Sequence, residues 1–250
     1  MTEQGISLDE ARSPEGMRLY AIGDVHGRLD LLEAMHERIA AEIAADRPAD
    51  WRVIHLGDYV DRGPESRGVI EHLIRAGLQD ERFISLAGNH DIGFLDFLAE
   101  PNEASLFARY GGVDTALSYG VKMGFESVEE LRRSHGALAE AMPAAHVDFL
   151  EALGFSQSFG DFFFCHAGIR PGIPLDHQDP QDLIWIRDEF HNASDLYPKI
   201  IVHGHTPVAN PDVRLNRVNV DTGAYYTGCL TAFVADGAEK WLVQVNRPRP

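Results

Sequence analysis

Before residue 92 the chain three times runs an apolar, strand-like stretch into a glycine-flanked loop of ionisable side chains. Residues 17–22 lead into Gly23-Asp24-Val25-His26-Gly27, and residues 51–56 into Gly57-Asp58-Tyr59-Val60-Asp61-Arg62-Gly63. Residues 82–86 lead into Gly88-Asn89-His90-Asp91. Between these stretches Leu29, Leu32, Met35, His36 and Ile39, then Val69, Ile70, Leu73 and Ile74, recur at helical spacing. Strand, helix, strand, helix, strand at this spacing predicts an α/β chain with a parallel sheet and right-handed crossovers. In such sheets ligands gather at the carboxyl ends of the strands, which is where these loops lie.

The later chain repeats the pattern. Residues 92–153 are mostly helical in character, with apolar Phe94, Leu95, Phe97 and Leu98 and then Val128, Leu131, Leu138 and Met142, and they predict a helical insertion or cap. Residues 155–159 and 162–165 predict a hairpin that ends in His166-Ala167-Gly168. Residues 199–202 lead into His203-Gly204-His205-Thr206-Pro207, and short strands follow near Val218, Leu230 and Trp241. At 250 residues the chain suits one large domain, assigned to 17–250, with 1–16 expected as a flexible polar arm lacking the apolar core of a signal peptide.

Charge narrows the function. Lysine and arginine number 22 against 39 aspartate and glutamate, so 22 − 39 gives −17. That surface repels long nucleic acid, which requires clustered basic residues. It would equally repel a phosphorylated substrate, so phosphate chemistry here demands a local positive centre, and 12 histidines make bound metal the candidate. Only Cys165 and Cys229 are present, which argues against a disulfide framework and for a cytoplasmic setting. No apolar run approaches the ~18 residues of a membrane span.

Five strand-end loops carry metal-competent residues: Asp24 with His26, Asp58, Asn89 with His90, His166, and His205. Asp24 and His26 lie two apart, so on extended backbone both point to one side. Structural zinc favours closed, cysteine-rich sites, whereas mixed oxygen and nitrogen donors suit Mn²⁺, Fe or Zn at an open catalytic site. With His90 set aside, six ligands suit two ions sharing a carboxylate, ~3.5–4 Å apart.

These motifs, in this order, resemble those of the calcineurin-like metallophosphoesterases, in the form used by bacterial serine/threonine protein phosphatases of the phosphoprotein phosphatase family. The resemblance covers about residues 18–245. It implies a four-layer fold, a central β-sandwich flanked by helices, with a two-metal site at the sheet ends. It also implies that Asp24, His26 and a bridging Asp58 bind the first ion, and Asp58, Asn89, His166 and His205 the second. His90 would be the general acid held by Asp61, and Arg62 and Arg187 would bind phosphate. Tyr225 or Tyr226 matches a tyrosine near the family's site, while His203 is placed outside the ligand set. Asp91 stands where many members carry Glu, a shorter reach. The activity so implied is hydrolysis of phosphoserine and phosphothreonine, extending to phosphotyrosine, in protein or peptide substrates, with Mn²⁺ as the favoured metal. The alternative is a dinucleoside polyphosphate hydrolase of the diadenosine tetraphosphate type with the same chemistry. The symmetrical hydrolases of that type tend to carry Gln where this chain has His26. A catalytically dead relative would lack a ligand, and none is missing.

Overall fold

A computed structural model describes residues 5–247. In chain order, β1 (Met17–Ile22), α1 (Leu29–Asp46), β2 (Asp50–His55), α2 (Ser66–Gln79) and β3 (Phe83–Ser85) come first. Five helices precede the next strand: α3 (Asn89–Ala99), α4 (Leu106–Arg109), α5 (Gly112–Ser118), α6 (Val128–Ala141) and α7 (Ala144–Glu151). Then come β4 (Ser156–Phe159), β5 (Phe162–Cys165), α8 (Pro180–Trp185), α9 (Asp188–His191), β6 (Ile200–His203), β7 (Asp212–Val213) and β8 (Arg217–Asn219). The chain closes with α10 (Ala224–Thr227), β9 (Cys229–Asp236) and β10 (Glu239–Asn246).

The strands form two five-stranded sheets, in the orders β10-β9-β1-β2-β3 and β4-β5-β6-β8-β7. β1, β2 and β3 are mutually parallel, as are β5, β6 and β8, so each sheet presents three parallel carboxyl ends. Alternation of side chains separates the layers. Leu19 and Ala21 of β1 face Phe162 and Phe164 of β5 inside the sandwich, with Ile54, Val202 and Phe233. Tyr20 and Ile22 point the other way, onto Leu31, Met35 and Ile39 of α1. Phe163 and Cys165 likewise leave the sandwich to pack on Leu183 of α8 and Phe190 of α9. This is the helix–sheet–sheet–helix layering of the metallophosphoesterase fold. The insertion helices add a separate apolar cluster with α2, built on Phe94, Phe97, Phe107 and Leu138. α1 ends where Arg47 adopts a left-handed φ of 52° just ahead of Pro48. Among the described residues no helix is long and apolar enough to cross a membrane.

Two expectations change. The third strand is shorter than residues 82–86: Leu86 N–H still donates to the His55 carbonyl at 2.9 Å, but past Ser85 the bridge partner is Gly154, on the approach to β4. The segment before β1 is not loose over residues 5–16. Ile6 N–H donates to the Tyr197 carbonyl at 2.8 Å, Leu8 N–H to Leu215 at 2.7 Å and Ser13 N–H to Gly237 at 3.1 Å. Leu8 and Ala11 are buried in the sandwich core with Ile6 packed against them, so three apolar residues in a polar stretch pin it down. Residues 1–4 lie outside the described residues.

One buried polar chain lies apart from the strand-end loops. His55 Nδ1 donates to the Ile84 carbonyl at 3.0 Å. The ring is neutral, so its Nε2 accepts from His36 Nε2 at 2.8 Å, and His36 Nδ1 in turn accepts from His72 Nε2 at 2.9 Å. Burial, with the charges of His55 and His72, pushes the His36 pKa down to about 2, and burial pushes that of His55 to about 4. Both lie below the ~6.5 of an unfolded histidine, so the unfolded chain takes up these protons first. Stability contributed by the neutral rings is complete above pH ~6.5. It falls as pH drops toward 4, by up to ~1.4 kcal/mol per pH unit for each ring. Urea denaturation between pH 7.5 and 5 checks this. In His36→Leu the pH slope should be shallower by about one proton, while stability at pH 7.5 falls because two rings lose a partner.

Candidate metal centre

The loops after β1, β2, β3, β5 and β6 converge, and they are sewn together by backbone. Val25 and His26 N–H groups donate to the Asp58 carbonyl at 3.2 and 2.8 Å, and Gly204 N–H donates to His166 at 2.8 Å. Asp24, His26, Asp58, Asn89, His90, His166 and His205 are all buried. Two clusters of candidate donors result, His26–Asp58–His90 and Asp58–His166–His205, and Asp58 belongs to both.

The second cluster also takes in Asn89. His166 Nδ1 is 2.9 Å from the Leu56 carbonyl, which can only accept, so the hydrogen sits there and Nε2 presents a lone pair. That lone pair faces Asn89 Oδ1 at 3.0 Å, His205 Nδ1 at 3.1 Å and Asp58 Oδ1 at 3.5 Å. Asn89 Oδ1 is also 2.8 Å from His205 Nδ1. His166 Nε2, Asn89 Oδ1 and Asp58 Oδ1 are acceptors facing one another with no proton between them, and a cation there would turn their repulsion into coordination. The same logic holds at the first cluster. His26 Nδ1 donates to Val60 at 2.7 Å, so Nε2 presents its lone pair 3.3 Å from Asp58 Oδ2, where the Arg62 guanidinium now donates to it at 2.8 Å. Asp24 stands slightly aside, since both its oxygens accept the His205 N–H at 3.2 Å.

Charge points the same way. Burial, then the charges of Asp221 and Asp58, raises the Asp24 pKa well above the carboxylate range. Burial also opposes the charge on Asp58, but His166, His90 and His26 outweigh it and hold the group ionised. His166 and His26 are kept neutral chiefly by burial. Neutral imidazoles beside crowded buried carboxylates fit divalent cations well.

Asp58 is gripped from two sides. Its Oδ1 accepts the His90 N–H at 2.9 Å, at the start of α3, where the helix dipole favours negative charge. Its own N–H donates to Asp91 Oδ2 at 2.8 Å; Asp91 also accepts from Gly88 at 2.9 Å and Tyr59 at 2.9 Å. Asp91 therefore reaches far enough despite being one methylene shorter than Glu. Only glycine fits at 88, because a Cβ there would strike the Asp58 N and Oδ1 atoms.

His90 Nδ1 pairs with Asp61 Oδ2 at 2.7 Å. Burial works against a charge on His90, yet Asp58 and Asp61 overcome it and its pKa is raised. Arg62 donates to Nε2 of His26 at 2.8 Å and of His90 at 2.7 Å, with its guanidinium 5.0 Å from the Tyr225 ring. Tyr225 is thus the tyrosine beside the site, while Tyr226 is largely exposed. Arg187 borders the same opening, tied to Thr206 Oγ1 at 3.3 Å. His203 is turned away, packed between Phe190 and His191. Above the cluster lies a cavity of about 430 Å³, walled by Arg62, His90, Leu106, Tyr110, Trp185 and Arg187 among others.

Residues 17–246 match the family of calcineurin-like phosphoesterases. The chain belongs to this family. A bis(5′-nucleosyl)-tetraphosphatase PrpE [asymmetrical] from Bacillus thuringiensis (strain Al Hakam) is 26% identical over 243 residues, spanning 86% of this chain and 89% of that protein. A similar PrpE from Oceanobacillus iheyensis is 24% identical over 94% of both chains. Among solved structures, one described as a candidate diadenosine tetraphosphatase superposes with a TM-score of 0.60 at 21% identity, covering 91% of this chain and 93% of that one. At such identity it shows the shared fold.

Calcineurin-like phosphoesterases work with a dinuclear metal centre, and the two donor clusters meeting at Asp58 suit one. The structure also adds residues that the motifs did not reveal. Thr115, on α5 of the insertion, donates its hydroxyl to Asp61 Oδ1 at 2.8 Å, and its Oγ1 is 2.8 Å from the Asp61 nitrogen, whose N–H it accepts. Asp221, just past β8, sits buried against Asp24, its pKa pushed up to about 6 by burial and by Asp58. Arg28 is fully buried and donates to the Ala224 carbonyl at 2.9 Å, beside Tyr225. Asp221 had a signal: Val218-Asn219-Val220-Asp221-Thr222-Gly223 repeats the strand–Asp–Gly pattern of the first loops. Thr115 had none, being 54 residues from its partner.

Removing Asp91 should release the Asp58 loop. In Asp91→Ala we expect metal affinity to fall about 10–100-fold, as for other groups that orient ligands. Calorimetric titration of apo-protein with Mn²⁺ measures it; an unchanged affinity would show that Asp58 holds its place without Asp91.

Proposed function

We propose that this phosphoesterase hydrolyses dinucleoside polyphosphates of the diadenosine tetraphosphate type, asymmetrically, to a nucleoside triphosphate and a monophosphate. The supporting observation is the 26% identity to a bis(5′-nucleosyl)-tetraphosphatase PrpE across 86% of the chain. The order of the two sequence-based readings is thereby reversed, with the phosphoprotein phosphatase second. His26 does not stand in the way, because it separates the chain from symmetrical hydrolases and these relatives are of the asymmetrical kind.

In this reading Asp24, His26 and Asp58 would hold one divalent ion and Asp58, Asn89, His166 and His205 the other, with Mn²⁺ preferred. Divalent ions held there would cancel phosphoryl charge and make water a competent nucleophile near neutral pH. The chain's own groups do the rest. Arg62 and Arg187, both facing the cavity, take phosphate oxygens with forked guanidinium geometry. Once a phosphate draws Arg62 away from His90 Nε2, that nitrogen takes the ring's second proton and gives it to the departing oxygen. Asp61 keeps the Nδ1 proton and so fixes the ring's orientation. Positioning and electrostatics supply most of the rate in phosphoryl transfer.

With Mn²⁺ present, kcat/KM for diadenosine tetraphosphate should exceed that for a phosphoserine peptide by at least about tenfold, with ATP and AMP as products. A faster phosphopeptide reaction would reinstate the phosphoprotein reading. A second outcome tests His90. A departing phosphate is a far weaker base than an alkoxide, so it needs less help from an acid. His90→Asn should cost about 10²–10⁴ in kcat on an alkyl phosphate and markedly less on diadenosine tetraphosphate. Equal losses on both substrates would remove His90 from the acid role.

A further inference from the structure

Two large aromatic side chains stand exposed on the rim of the cavity, Tyr110 at 57% and Trp185 at 42%. Tyr110 follows α4, and the next residue, Gly111, is locked to the site. Gly111 adopts a φ of 111°, and its carbonyl accepts the Arg62 N–H at 3.2 Å. A Cβ on Gly111 would lie 2.5 Å from the Arg62 nitrogen, so Tyr110 is anchored one residue from that contact. Trp185 ends α8, its ring set edge-on to His205 at 5.9 Å, and Arg187 comes two residues later. Each ring therefore accompanies one arginine of the cavity wall.

Neither side chain forms a hydrogen bond among the described residues. Leaving two such rings in water beside a phosphate site costs apolar burial, and exposed apolar surface at a cavity marks a binding function. Resting on the dinucleoside polyphosphate reading, we propose that Tyr110 and Trp185 are base-stacking platforms, one for each nucleoside of the substrate. Such a substrate is anionic in the middle and flat and aromatic at both ends. The metal cluster with Arg62 and Arg187 meets the middle, and the rings meet the ends. Stacking tolerates any base, since each has a π-face. On the far side of Trp185 a second cavity of about 400 Å³ offers room beyond the phosphates. It carries Asp188 and Glu189, acceptors suited to ribose hydroxyls.

The test uses Mn²⁺-loaded enzyme with Tyr110→Ala, Trp185→Ala and the matching Phe variants. The readout is kcat/KM for diadenosine tetraphosphate divided by that for glycerol 2-phosphate, which has no ring to stack. Each alanine variant should lower this ratio about tenfold, and phenylalanine should restore most of it. Adenosine 5′-tetraphosphate has one nucleoside, so only one of the two alanine variants should raise its KM. Equal losses on both substrates, or Phe variants no better than Ala, would overturn the platforms. Equal sensitivity of adenosine tetraphosphate to both alanine variants would overturn the assignment of one ring to each nucleoside. If wild-type enzyme cleaves a phosphoserine peptide but not diadenosine tetraphosphate, the functional reading itself has failed and the platforms fall with it. Cleavage with unmoved ratios sinks the platforms alone.

Discussion

Asp58 accepts a hydrogen bond from the first turn of α3 while its own backbone N–H is held by Asp91, and the site is arranged around that doubly anchored carboxylate. One of its oxygens faces His166 and the other faces His26. A carboxylate buried this deeply would ordinarily pick up a proton. Here His90, whose pKa is raised, and the helix N-terminus it occupies favour the charged form, and charge is what lets one side chain serve two donor clusters.

Holding it so requires an unusual backbone. His26, Asp58, Asp61, Arg62 and His205 all have positive φ, between 45° and 71°, where side chains are normally disfavoured. Each such residue costs of order 1–3 kcal/mol. That strain falls on residues of the site, and it persists because the loops bond to one another. His26 N–H reaches Asp58, Arg62 N–H reaches Gly111 and Gly204 N–H reaches His166. The sandwich below, buried on both faces of β1 and β5, supplies the rigid floor against which the loops are bent.

Much of this could be read from residues alone, for a physical reason. A parallel strand buried on both faces is an apolar run, and a loop that must turn tightly at its end needs glycine, so both leave local marks. The loops at Asp24, Asp58, Asn89, His166 and His205 carry those marks, and the structure brings all of them together. Contacts that depend on tertiary packing leave none. Thr115 meets Asp61, and His36, His55 and His72 line up from α1, β2 and α2, only because helices from separate stretches land side by side. The segment at residues 5–16 misled through its average polarity, which concealed three well-placed apolar residues.

The join between Arg62 and Gly111, reinforced by Thr115 on Asp61, bears on how such a protein diversifies. It is tempting to see the helical insertion as an exchangeable module, free to drift while the strand-end loops keep the chemistry. Here the stretch that carries Tyr110 also holds the backbone of a phosphate-facing arginine and the carboxylate behind His90. A lineage that remodels this wall to accept a new ligand therefore perturbs turnover in the same step. Changes in ligand range should come more readily from the α8–α9 side, where, among the described residues, one long hydrogen bond to Thr206 ties the Arg187 side chain to the loops.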